Sequence, residues 1–169
     1  MSNIYQLAII VLTFTVSFRK KVWGNFDRCY PTLLYMVVGN LTYEYIAHTK
    51  FHLWELKQIG SIPEIWADLI YLFFMVVPAT LIYLTNYPDT PMKRIFYIMK
   101  WVFIFTMVEW VGGRYFNAID HYNGWNIWWS LFFNFVMFTT LRLHYLYYKR
   151  ALIISVFWTL FYLIWFDYI

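Results

Sequence analysis

The chain of 169 residues is 62% hydrophobic and 25% aromatic, with 13% charged residues and a net charge of +4. That is more apolar side chain than a small water-soluble domain can cover with polar groups, so a soluble globular domain is excluded and a lipid bilayer is the expected surrounding. A nucleic-acid partner is excluded as well, because the basic residues fall in short clusters between apolar runs, where membrane topology accounts for them.

The first apolar run, roughly 4–18, has no basic residue before it and no small-x-small cleavage site after it, which predicts a retained anchor in place of a cleaved signal peptide. Its fifteen or so residues reach only about 22 Å, short of a hydrocarbon core of about 30 Å unless Ser2 to Tyr5 extend the helix. Cys29 is the single cysteine, so no disulfide can form within the chain. A second run covers roughly 31–48. The third, roughly 65–86, follows SIPE at Ser61 to Glu64, which has the spacing of a capping box, and contains Pro78, which should bend it. The fourth, roughly 93–111, opens on Thr90 as N-cap with Pro91 at the first helical position, and Gly112 and Gly113 are expected to close it. Asn123 and Gly124 make a turn that launches the fifth run, roughly 126–145, and a sixth covers roughly 151–168. The reading is an all-α integral membrane bundle of about six transmembrane helices forming a single domain over residues 1–169, with links too short to hold a soluble domain.

Ten of the thirteen basic residues, Arg19, Lys20, Lys21, Arg28, Lys93, Arg94, Lys100, Arg142, Lys149 and Arg150, fall on one side of a six-span arrangement, leaving Lys50, Lys57 and Arg114 on the other. Positive charge stays in the cytoplasm, so both termini are predicted to be extracytoplasmic. The acids divide the opposite way: Glu44, Glu55, Glu64, Asp68, Glu109, Asp120 and Asp167 lie outward, and only Asp27 and Asp89 inward. Acidic residues carry little topological weight, so their asymmetry points to an outward-facing site or an acidic outer rim.

Within GNLTYEYIAHTKFHLWE, Asn40, Glu44, His48 and His52 recur every fourth residue and would stack along one helical stripe. His48, His52 and Glu44 are therefore candidate ligands for a divalent metal such as Zn, Mn or Fe, since imidazole and carboxylate suit these ions. The alternative is that His52 lies past the helix end and His48 sits among lipid headgroups. Glu44 and Glu109 are costly in hydrocarbon and should face the bundle interior, where Arg114, His48 or His121 beside them would make a polar pocket suited to a solute or to proton exchange. Asn126 is added to that pocket, although Asn126 and Asn134 can equally link helices by hydrogen bonds. Trp128 and Trp129 are adjacent and must point apart, so Trp128 is a candidate pocket wall, whereas Trp110 and Trp125 suit an interfacial aromatic belt. The candidate ligand-binding set is thus Glu44, His48, Glu109, Arg114, His121, Asn126 and Trp128.

The run HYNGWNIWWSLFFNFVMFTTLRLHY at 121–145, with EW at 109–110 and NYP at 86–88, resembles the uncharacterised small multi-pass membrane proteins of endospore-forming bacteria. The resemblance implies a bacterial cytoplasmic or spore inner membrane and no activity. No GxGxxG, P-loop, GxSxG, HExxH or paired CxxC occurs, so an enzyme assignment has no motif behind it. Three functions stay open: a membrane protein binding a small solute or ion through an extracytoplasmic-side polar pocket, as a subunit of a transport or spore-membrane assembly; a metal-dependent membrane-embedded hydrolase; and a structural, partner-binding envelope protein. The expected partners are the lipid bilayer and a further membrane protein or second copy; the only cofactor suggested is a divalent metal.

Overall fold

A computed structural model describes residues 2–60 and 62–169, the side chain of Glu64 excepted. The chain is mostly helical: α1 Ser2–Arg19, α2 Phe26–Thr49, α3 Glu64–Tyr71, α4 Val77–Thr85, α5 Pro91–Phe116 and α6 Ile127–Trp165. The capping box expected from Ser61 to Glu64 falls outside the described residues, and α3 begins after an extended Pro63 at ψ 144. Among the described residues three stretches, Ile65–Thr85, Pro91–Phe116 and Ile127–Trp165, are long and apolar enough to cross a membrane. Helix α2 is less apolar because it carries Asp27, Asn40, Glu44 and His48, and α1 carries Asn3, Gln6 and Arg19.

A straight helix of 39 residues would reach about 58 Å, nearly twice the thickness of a bilayer core. The backbone breaks at Tyr147 (φ −145, ψ 70), and the two halves of α6 fold back on each other. Ring contacts between Phe132 and Trp158 at 5.4 Å and between Trp129 and Trp165 at 5.5 Å trace the hairpin, which returns Phe166 to Trp125 at 5.4 Å. Helices α3 and α4 form one rod through a π turn, Leu72–Val76, and Pro78 lies just after it at the start of α4. A wider turn frees the carbonyls that a proline ring would otherwise strike, so the disturbance that proline introduces is taken up inside the rod.

The ends of the bundle differ chemically. At one end Arg142 lies over the Tyr87 ring at 4.0 Å and over Tyr145 at 5.2 Å, and Arg28 lies over Tyr145 at 5.6 Å. At the other end a two-stranded ribbon departs from the all-helical expectation: β1 Trp54–Leu56 pairs antiparallel with β2 Ile119–His121 in the register Trp54↔His121, Glu55↔Asp120, Leu56↔Ile119. Gln6, only 2% exposed, ties α1 to this ribbon by donating from Nε2 to the Lys57 carbonyl at 2.7 Å and the Ala118 carbonyl at 3.3 Å. Tyr43 ties α2 to it, stacking on Trp54 at 4.8 Å, donating to the Trp54 carbonyl at 2.7 Å and accepting from its N–H at 3.0 Å.

The buried core runs through Val22, Leu33, Leu81, Tyr83, Val102 and Phe138, where the Tyr83 hydroxyl donates to the Phe138 carbonyl at 2.8 Å. Large apolar residues also cover the outside of the rods, among them Ile4, Val11, Phe103, Val156, Phe157 and Ile164. An outer surface of this kind is matched to lipid tails and not to water.

Gly112 and Gly113 do not close α5, which continues to Phe116 and ends at Asn117 in the left-handed region (φ 52), the Gly112 carbonyl accepting from the Asn117 and Ala118 N–H groups. The reason Gly112 is glycine is packing: a Cβ there would stand 2.8 Å from Cε1 of Tyr5.

Candidate functional site

A cavity of about 650 Å³ runs through the middle of the bundle. Its lining reaches from Lys20 and Lys100 to Trp54, Leu56 and Ile119 of the ribbon, with walls that are mainly apolar. Three carboxylate residues line it, Glu44 near the end of α2, Asp68 in α3 and Glu109 toward the end of α5. Antiparallel connection of these helices puts all three toward the ribbon. Glu44 and Glu109, the two carboxylates that hydrocarbon should drive inward, thus share one hollow.

Glu109 is the best-defined polar group in it. Its Oε1 accepts from Nε2 of His121 at 2.7 Å and from the hydroxyl of Ser130. The Ser130 oxygen in turn accepts from Nε1 of Trp125 at 2.8 Å. The carboxylate side chain is 20% exposed and the imidazole 27%. His121 reaches Glu109 because side chains alternate along a strand, so His121 shares a face of β2 with the cavity-lining Ile119, while Asp120 between them turns away and pairs with Lys57 at 3.0 Å. The order of groups is Trp–Ser–Glu–His, with the carboxylate in the middle. A hydrolytic triad needs the imidazole between acid and hydroxyl, so this arrangement holds a charge in place and does not build a serine nucleophile.

Deeper in the cavity, Asn134 donates from Nδ2 to the Thr106 hydroxyl at 3.2 Å, linking α6 to α5. This is the helix-joining use of an amide in an apolar setting.

Other expected site residues lie elsewhere. Arg114 is exposed on the last turn of α5 and does not line the cavity; five residues after Glu109 it is turned about 140° around the helix. Asn126 is the N-cap of α6, its side-chain oxygen accepting from the N–H groups of Trp128 at 3.0 Å and Trp129 at 3.4 Å. Trp128 is 75% exposed and points outward, while Trp129 packs against Trp165 and Phe166.

His48 and His52 do not continue one helical stripe, because α2 ends at Thr49 and Lys50 departs from helical geometry (φ −123, ψ −76). The reversal nevertheless carries His52 back beside His48, the rings meeting edge to face at 5.0 Å. One ligand atom from each of Glu44, His48 and His52 lies within 4.8 Å of the other two.

Sequence reasoning missed the ribbon and the role of Ser130. Strands of three residues leave no periodicity to read, but Asn126, Ser130 and Asn134 repeat every fourth position, the same signal that drew attention to α2.

No family model matches the chain, and neither a curated protein nor a solved structure does.

Proposed function

We propose that the protein is a multi-pass membrane protein with six spans and both termini outside the cytoplasm, and that its central cavity binds a small amphiphilic solute with a cationic head. The observation that carries this reading is that Glu44, Asp68 and Glu109, from three different rods, line one end of the same mainly apolar cavity, whose lining at the far end includes Lys20 and Lys100. A volume of about 650 Å³ falls within the range of roughly 300–1,000 Å³ typical of small-molecule sites. Carboxylates at one end favour an ammonium head, and the apolar walls favour a hydrocarbon or ring body. Orientation is supported by the concentration of ten of thirteen basic residues on one side of the chain's path, which leaves the carboxylate end extracytoplasmic. The resemblance of residues 109–145 supports a bacterial cytoplasmic or spore inner membrane, where the protein would work as a subunit of a larger transport or spore-membrane assembly.

The test is thermal melting of detergent-purified protein with a short-chain alkyltrimethylammonium kept below its micellar concentration. At about 100 times Kd such a ligand stabilises the native protein by about 2.7 kcal/mol. The wild type should gain stability and the Glu44→Gln/Glu109→Gln double variant should not. Glutamine keeps an oxygen to accept the bonds from Ser130 and His121 while removing charge, so the fold survives the change. Equal gains in both proteins would refute the cavity reading.

A further inference from the structure

We infer that Glu44, His48 and His52 form a divalent-metal site of the zinc class where the central cavity meets the loop after α2. This goes beyond solute binding and does not rest on it, since neither His48 nor His52 lines the central cavity.

The argument begins with backbone geometry. Glu44 and His48 are four residues apart on α2 and so occupy the same face one turn apart. Reversal at Lys50 then returns His52 to that face from the loop, and the perpendicular rings at 5.0 Å let one nitrogen of each approach a common point. Lys50, the nearest cation in sequence, does not occupy that point, because its ammonium donates to the Tyr168 carbonyl.

Distances are those of an open trio. The three donor atoms lie within 4.8 Å of one another, whereas ligands about 2.0–2.2 Å from a tetrahedral ion stand roughly 3.3–3.6 Å apart, so closure needs shifts of about an ångström. His48 is exposed at the end of its helix and can make that shift by rotating its side chain.

Donor chemistry sets the class of ion. Two imidazoles and one carboxylate suit zinc and its neighbours, whereas calcium and magnesium take oxygen ligands. Three protein ligands leave a coordination position for water or another donor. Because Glu44 also lines the cavity, an ion held there would stand at its ribbon-side end and fix the end of α2 to the following loop.

The experiment uses the full chain, purified in detergent and stripped with chelator, and titrates it with zinc alone by calorimetry. The wild type should bind about one equivalent, and a His48→Ala/His52→Ala variant should bind at least about a hundredfold more weakly, more than the loss typical of an outer-shell change. Glu109→Gln should leave zinc affinity unchanged, which separates failure here from failure of the cavity reading. Zinc-edge X-ray absorption on the loaded wild type should show two imidazole ligands, a readout independent of whether any variant folds. Less than about a tenth of an equivalent bound, unaltered affinity in the double variant, or a spectrum without imidazole scattering would each overturn the site.

Discussion

Glu109 accepts two hydrogen bonds on one oxygen, from His121 and from Ser130, while the Ser130 oxygen also accepts from Trp125. A charged group at the centre of a bilayer costs about 2.5–3.5 kcal/mol on insertion scales, so donors that stay with the carboxylate keep it tolerable inside the bundle. Ser130 is the joint in that chain of bonds and is buried, as is Trp125. Ser130→Ala should therefore destabilise the protein by about 1–3 kcal/mol, because the indole N–H loses its acceptor and Glu109 loses a donor. Denaturant unfolding in detergent checks this, and adding Trp125→Phe to Ser130→Ala should cost less than the sum of the two single changes. Full additivity would mean that the two residues do not share a bond. At this scale the sequence was partly legible. Hydrophobic cost alone drew Glu44 and Glu109 inward, but Arg114 failed because a five-residue step turns it around α5, away from Glu109.

Among the elements, α1 and α5 are joined by a contact that glycine makes possible. Tyr5 stacks on Phe116 at 4.6 Å and donates to the Val108 carbonyl, so its ring is pinned against Gly112 and cannot swing aside. Gly112→Ala should push the two helices apart and cost about 1–3 kcal/mol as an overpacking change, visible as a lower melting temperature. Trimming the opposing ring with Tyr5→Leu in the same chain should recover part of the loss. No recovery would place the cause elsewhere. The Gly112–Gly113 pair reads as a helix stop because glycine favours left-handed caps, yet Asn117 takes that role and the glycine serves close approach instead. The ribbon escaped notice for a different reason: its strands are three residues long, and their pairing joins residues 54–56 to 119–121 across three helices. A local pattern cannot report a partner so far along the chain.

For the whole molecule, the two ends carry different chemistry, arginines over tyrosine rings at one and the ribbon with its carboxylates at the other. The proposed orientation makes the ribbon end extracytoplasmic. A cysteine replacing Ser2, or one added after Ile169, should react in intact cells with a membrane-impermeant maleimide, whereas Asp89→Cys should react only after permeabilisation. Cys29 is buried and adds little background. The reverse pattern would invert the topology and put the carboxylate end of the cavity toward the cytoplasm.

Composition and apolar run length were enough to call for long apolar helices, because removing backbone polar groups from water demands internal hydrogen bonding whatever the neighbours do. Charge clusters, Pro and Gly marked breaks such as the one near Tyr147, where Lys149 and Arg150 interrupt the apolar run, but not the end of α5, which runs past Gly112 and Gly113 to Asn117. Tertiary structure alone decided which polar groups meet. The Glu109 network joins α5, β2 and α6, and the cavity depends on rods brought together by packing. The metal-ligand trio was legible as a spacing, but its geometry comes from a chain reversal after Thr49 that no helical repeat encodes. Periodicity reports the face on which a side chain lies; only packing between faces determines what stands opposite it.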